Sequence, residues 1–176
     1  MLIASLSENK EIEKRLAVTP EITKKYIDLG LDLLLPKNYG SHLGFDDSEY
    51  KSLGANFFDS DEKIINEADI IIQLGMLEEK KLSLLKENQT LIGSLDSFSN
   101  KEKIKALNSK KINCFSLEML PRLTRAQSMD ILSSQANLAG YKAVIEAFQV
   151  YERAIPMMMT AAGTISAAKV LVVGAG

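Results

Sequence analysis

Short β-rich apolar runs alternate with helix-like segments from the first residue to about residue 116, and this alternation constrains the fold more than any other feature. The predicted strands are residues 2–6, 31–35, 56–58, 69–74, 90–94 and 111–116. They follow one another at about 20 residues, the spacing that βα units require. The pattern predicts an α/β fold whose mostly parallel sheet, Rossmann-like or flavodoxin-like, is flanked by helices.

Helix boundaries are marked by particular residues. Thr19 is a predicted N-cap, Pro20 suits the first helical turn, and Gly30 is a predicted helix end. Asp59 and Glu62 have the spacing of a capping box, which predicts a helix from there to about residue 68.

Composition limits the classes of partner. The chain has 176 residues, 46% of them apolar, and a formal net charge of −2. Such a balance predicts no nucleic-acid or membrane-surface interaction. One cysteine and one histidine allow neither an internal disulfide nor a histidine-rich metal site, so no metal is expected. With no export signal at the N-terminus and no long apolar stretch, a cytoplasmic protein is expected.

The pattern changes after residue 123. One long helix is predicted over 124–153, with small residues on one stripe that core packing explains most simply: Ala136, Gly140, Ala143 and Ala147. Met157–Thr160 is strand-like and could form a subunit contact. The predicted division is an N-terminal α/β domain over 1–123, the linking helix over 124–153, and the start of a second Rossmann unit over 154–176.

The last residues are a first candidate for cofactor binding. A predicted strand, 169–173, runs into Gly174, Ala175 and Gly176. A strand followed by G-x-G opens a dinucleotide-binding unit, in which the glycines allow a tight turn and close approach of a pyrophosphate. The third glycine, the following helix and the ribose-binding acid are absent. An ordinary strand and turn is the alternative interpretation.

The start of the long helix is a second candidate. Gln127, Asp130 and Ser133 would share one face of a continuous helix, with Arg122 and Arg125 at its start. An amide, a carboxylate and a hydroxyl could together orient a nicotinamide carboxamide. The structural alternative is a capping box of Thr124 and Gln127, with Asp130 complementing the helix dipole.

Several stretches together resemble one family. They are residues 13–21 (EKRLAVTPE), 118–122 (EMLPR), 125–141 (RAQSMDILSSQANLAGY), 156–163 (PMMMTAAG) and the terminal VGAG. The chain resembles the NAD(H)-binding domain of the alpha subunit in proton-translocating NAD(P) transhydrogenases, which are similar in architecture to alanine dehydrogenases. The similarity covers the whole chain, and the block from Arg122 to Tyr141 is its most specific segment.

This resemblance implies NAD(H) as the cofactor, NADP(H) on a partner domain, and hydride transfer from NADH to NADP⁺ coupled to proton movement. No residue is expected to act as acid or base. It also implies a homodimer, peripheral to the inner membrane through membrane-embedded partner subunits. The residues implied at the nicotinamide end are Arg122, Leu123, Thr124, Arg125, Gln127, Ser128, Met129, Asp130 and Ser133, and those implied at the pyrophosphate are Gly174, Ala175 and Gly176.

Two alternatives stay open. An alanine dehydrogenase is expected to have a lysine and a histidine after two of the strands, where this chain has Gly75 and Asp96. Arg15 of the shared pattern is kept. The other alternative is a non-catalytic fragment, because the chain stops at the first strand and first two glycines of the second Rossmann unit.

Overall fold

The chain divides into two compact units, Met1–Asp130 and Ile131–Gly176. The computed structural model describes residues 1–174. The predicted three-part division at residues 123 and 153 stays a prediction.

The first unit is built on one parallel sheet of six strands. The strands are β1 (Leu2–Ala4), β2 (Asp32–Pro36), β3 (Asn56–Phe58), β4 (Ile70–Ile72), β5 (Thr90–Gly93) and β6 (Asn113–Ser116). Their order across the sheet is β3-β2-β1-β4-β5-β6, and every neighbouring pair is parallel. This is the strand order of doubly wound dinucleotide-binding folds, and it confirms the predicted mostly parallel sheet.

Helices cover both faces of this sheet. They are α1 (Pro20–Asp28), α2 (Asp47–Ser52), α3 (Asp61–Glu67), α4 (Glu79–Leu84) and α5 (Lys101–Ser109). Successive strand residues point to opposite faces, so Ile3 and Ala4 of β1 enter different apolar clusters. The cluster of Ile3 packs against α1 and α2, and the cluster of Ala4 packs against α3, α4 and α5.

The predicted helix boundaries are confirmed at α1 and corrected at α3. The Thr19 hydroxyl accepts a hydrogen bond from the backbone N–H of Ile22, and Gly30 adopts a φ of +76° after the helix. The predicted capping box at Asp59 is wrong, because α3 starts at Asp61 with Ser60 at its N-cap. The Asp59 carboxylate instead forms an ion pair with Lys37.

The second unit contains one long helix and a small hairpin. Helix α6 covers Ile131–Val150, and β7 (Met158–Thr160) pairs antiparallel with β8 (Gly163–Ile165). The predicted helix over 124–153 is therefore wrong at its start, where residues 124–129 form a 3₁₀ helix. Helix α6 buries none of its residues, so core packing does not explain its small-residue stripe within this structure.

The predicted strand at residues 169–173 is not formed. Val170 to Val173 lie in extended or bent chain with exposed side chains, 69% to 91% accessible. A strand needs a hydrogen-bonded neighbour, and within the described residues this run pairs with none. Separately, no helix among those residues is both long and apolar enough to cross a membrane.

Candidate functional site

The carboxyl ends of the six parallel strands meet at one edge of the sheet, where doubly wound folds place their ligands. The loops that leave this edge carry most of the polar side chains that sequence patterns single out. Ligands of such folds bind at the point where the strand order reverses, which here lies between β1 and β4.

The chain's own side chains fill the edge between β1 and β4. Gln73, 3% exposed, follows β4, and its Nε2 donates to the Leu6 carbonyl at 3.2 Å while its Oε1 accepts from the Leu6 N–H at 3.1 Å. The Glu8 carboxylate accepts a hydrogen bond from Leu74 N at 2.6 Å. The amide of Gln73 thus continues the hydrogen bonding of the sheet beyond the strand ends.

Other charged residues singled out from the sequence lie in the loops at this edge. The Arg15 guanidinium pairs with both carboxylate oxygens of Glu13, and the side-chain hydrogen bond and charge of Glu13 raise its pKa. His42 is exposed, and its Nε2 lies 2.8 Å from the Lys14 carbonyl oxygen. These contacts fit the structural interpretation of both residues.

Gly75 and Asp96, which stand where an alanine dehydrogenase is expected to carry a lysine and a histidine, follow β4 and β5 at the same edge. The Gly75 N–H lies 3.4 Å from Glu8 Oε1, and Asp96 adopts a φ of +45° at the head of its loop. Neither residue can supply an ammonium or an imidazole group there.

Glu118 joins two of the loops at this edge. It follows β6, and its carboxylate accepts hydrogen bonds from the backbone N–H groups of Leu95 at 3.1 Å and Ser97 at 3.0 Å. The hydroxyl groups of Ser97 and Ser116 also donate to it, at 3.0 and 2.6 Å. Four donors on one carboxylate fasten the loop after β5 to the end of β6.

The pKa of Glu118 predicts acid sensitivity. Burial raises the pKa of Glu118, but the hydrogen bonds from Ser116 and Ser97 outweigh burial, and the pKa lies below its usual value of 4.5. Because the folded-state pKa is depressed, its stabilising contribution is complete above the ordinary pKa and is lost as the pH falls through the folded-state value. Urea denaturation from neutral pH to about pH 3 should therefore show a smaller loss of stability in Glu118→Ala than in the native chain.

The segment from Arg122 to Asp130 lies beyond Glu118. Residues 124–129 form the 3₁₀ helix, and Arg122 Nε lies 3.7 Å from Asp130 Oδ2. The Arg122 side chain is 70% exposed and that of Asp130 is 17% exposed. The predicted charge pair is therefore present as an ion pair, and its role in a ligand pocket stays a prediction.

One continuous helix does not place Gln127, Asp130 and Ser133 on a common face. Asp130 has an extended backbone, with φ −74° and ψ +93°, between the 3₁₀ helix and α6. An aspartate with this backbone immediately before Ile131 is in the conformation of an N-cap residue, so it starts a new helix. The Thr124 capping box is also wrong, because Leu123 is the N-cap and makes no side-chain hydrogen bond.

The remaining predicted residues are distributed as follows. In the first unit, Leu123, Thr124, Arg125, Gln127, Ser128 and Met129 are all exposed. Ser133 is an exposed residue of α6 in the second unit. Gly174 is exposed with a φ of +92°, a backbone conformation that suits a glycine turn, whereas Ala175 and Gly176 lie outside the described residues.

Sequence patterns alone did not single out Glu118 as a site residue. A usable signal was present: an acidic residue two positions after a predicted parallel strand, beside a neighbouring loop with Ser97. The carboxyl ends of neighbouring parallel strands bring such loops together, so a carboxylate there can meet backbone N–H groups.

The fold and its strand order define the class: a doubly wound parallel α/β domain of the kind found in dinucleotide-dependent enzymes. Residues 5–139 match the family described as alanine dehydrogenase/PNT, N-terminal domain, and residues 143–176 match alanine dehydrogenase/PNT, C-terminal domain. The chain belongs to the alanine dehydrogenase/PNT family.

Within this family the chain is similar to transhydrogenase alpha subunits. It is 43% identical over 180 residues to an NAD(P) transhydrogenase subunit alpha of Rickettsia prowazekii (strain Madrid E), covering 100% of this chain and 47% of the relative. The solved transhydrogenase structure from Sinorhizobium meliloti matches with a TM-score of 0.89 and 39% identity, covering 96% of this chain and 50% of that one.

Alanine dehydrogenases are more distant. Alanine dehydrogenase 1 of Staphylococcus aureus (strain N315) is 29% identical over 145 residues, covering 82% of this chain and 38% of the relative. The chain spans about half the length of the transhydrogenase relatives.

Proposed function

We propose that this chain forms the nicotinamide side of the NAD(H)-binding component of a proton-translocating transhydrogenase. The observation that carries the proposal is the similarity to NAD(P) transhydrogenase subunit alpha across the whole chain. It includes the exposed polar segment from Arg122 to Asp130, closed by an ion pair between its ends.

The donor and acceptor groups of this segment fit the nicotinamide end of NADH. Gln127 offers an amide with a donor and an acceptor, which matches a carboxamide, and the exposed guanidinium groups of Arg122 and Arg125 offer several further donors. Gly174 has the backbone conformation that a tight turn beside a pyrophosphate needs.

When bound, NADH supplies the hydride that passes to NADP⁺ on a partner domain. Hydride transfer between two nicotinamides needs no protein acid or base, so this chain contributes orientation. In the proposal, the Arg122–Asp130 ion pair shapes the wall of the pocket. Gln127 and Ser133 hydrogen-bond to the carboxamide or ribose and determine which face of the ring is presented.

The proposed assembly is a homodimer that associates, on the cytoplasmic side of the inner membrane, with NADP(H)-binding and membrane-embedded subunits. Supporting this, the relatives are named as subunits of a transhydrogenase. Proton movement belongs, in this proposal, to the membrane-embedded partners.

NADH titration of the chain, followed by the fluorescence of NADH, tests the proposal. We expect binding in the micromolar range, weakened roughly tenfold by Gln127→Ala through the loss of hydrogen bonds to the carboxamide. Gln149→Ala, an exposed glutamine near the end of α6, is the matched control and should leave the affinity unchanged. Equal affinity of both variants would remove Gln127 from the site.

A second candidate function follows from the length of the chain. Because it spans about half of its transhydrogenase relatives, the described units could form a folded α/β module that docks to other subunits without binding NADH itself. Absence of NADH binding by the 176 residues, beside binding by a longer chain, would support this second function and contradict the first.

A further inference from the structure

We infer that Glu118 is a positioning residue for the segment Arg122–Asp130: by tying the loop after β5 to the end of β6, it determines where that segment starts. The inference rests on the proposed function, in which the segment faces the nicotinamide. Glu118 itself touches no ligand in this proposal.

The first step of the argument is how little else holds the segment. Of residues 121–130, only Ala126 and Asp130 are even partly buried. A segment whose side chains contribute little to an apolar core gains little from packing, so its position depends on where its ends are attached.

The second step is the path from Glu118 to the segment, which is short and internally hydrogen-bonded. Leu120 N donates to the Leu117 carbonyl at 3.2 Å, Leu123 N to the Pro121 carbonyl at 2.9 Å, and Ala126 N to the Leu123 carbonyl at 2.9 Å. Pro121 also has a restricted φ. A displacement of Glu118 would therefore be passed on to Arg122 and the 3₁₀ helix.

The third step is the attachment of Glu118 to the sheet. Leu95, whose N–H donates to Glu118, is buried in the core cluster with Leu91 of β5. Asn100 Nδ2 donates to the Leu95 carbonyl at 3.0 Å, and Asn100 N donates to the Asp96 carbonyl at 2.9 Å. The loop that holds Glu118 is thus itself fixed to the core, and it can serve as a rigid support.

The test compares Glu118→Ala with Glu102→Ala, which changes an exposed glutamate of α5 whose partner is Lys105. Hydrogen–deuterium exchange of the chain should be faster across residues 119–130 in Glu118→Ala and unchanged in Glu102→Ala. Faster exchange confined to residues 94–100 would overturn the inference, because Glu118 would then hold only the loop after β5.

Ligand binding supplies a second readout that a purely structural role would not change. In Glu118→Ala we expect the affinity for NADH to fall roughly tenfold while the affinity for AMP, which lacks the nicotinamide, changes less than about twofold. Equal losses for both ligands would contradict a positioning role. If the native chain binds neither ligand, the proposed function fails, while the exchange experiment still decides the position of the segment.

Ser116→Ala provides a milder variant should Glu118→Ala fail to fold. It removes one donor, at 2.6 Å, and leaves the two backbone N–H donors in place. A smaller increase in exchange over the same residues 119–130 is expected. No change at those residues would count against the inference.

Discussion

Replacing Gly93 with alanine is expected to lower the free energy of unfolding by about 3 kcal/mol, because an added Cβ has no room there. Gly93 is the last residue of β5, and a Cβ at this position would overlap the carbonyl oxygen of Gln73. The two strands cannot separate to accommodate it, since Gln73 N donates to the Ile92 carbonyl at 2.9 Å and Ser94 N to the Leu74 carbonyl at 3.2 Å.

Urea denaturation of Gly93→Ala and Gly75→Ala checks this expectation. Gly75 is a matched control at the same edge of the sheet, where the nearest atom to an added Cβ is Glu8 Oε2 at 3.9 Å. We expect Gly75→Ala to change the free energy of unfolding by less than about 0.5 kcal/mol. Similar values for the two variants would show that β5 can shift away from β4.

The parallel sheet was predictable because each of its signals is local. Three consecutive isoleucines mark β4, and four leucines within residues 31–35 mark β2. Both strands are buried from the two faces of the sheet, so apolar runs reveal them without any knowledge of their partners. Helix α1 was equally clear, because Thr19 and Pro20 act on the first turn directly.

The errors arose where structure depends on residues far away or on competing local contacts. Residues 169–173 have strong strand propensity, but a strand forms only when a neighbour supplies hydrogen bonds. At Asp130 the pattern continued from Thr124 as though one helix ran through. The extended backbone of Asp130 and its ion pair with Arg122 interrupt it.

The candidate site was predictable mainly through resemblance. The residue types alone left Gln127 and Asp130 equally well explained by helix capping. Glu118 escaped notice because its partners are two backbone N–H groups, which carry no signature in the sequence, and hydroxyl groups of residues 97 and 116. Such contacts become visible only when the order of the strands is known.

Replacing Gln73 with leucine is expected to lower the free energy of unfolding by about 3 kcal/mol. Leu6 is fully buried, and its N–H and carbonyl are both paired with the Gln73 amide. Leucine would fill similar space but leave two buried backbone groups without partners, and each such group costs about 1–3 kcal/mol. Urea denaturation measures the loss, with Gln149→Leu on the exposed surface of α6 as the control.

The same variant separates stability from ligand binding. Gln73 occupies the point between β1 and β4 where doubly wound folds place a ligand, so ligand binding in this unit is expected elsewhere on the edge. The segment after β6 starts two strands away from β4, at about 10 Å given the usual spacing. Under conditions where Gln73→Leu remains folded, its affinity for NADH should therefore equal that of the native chain. A weakened affinity would place the ligand at β1 and β4, and would contradict the assignment of the nicotinamide to Arg122–Asp130.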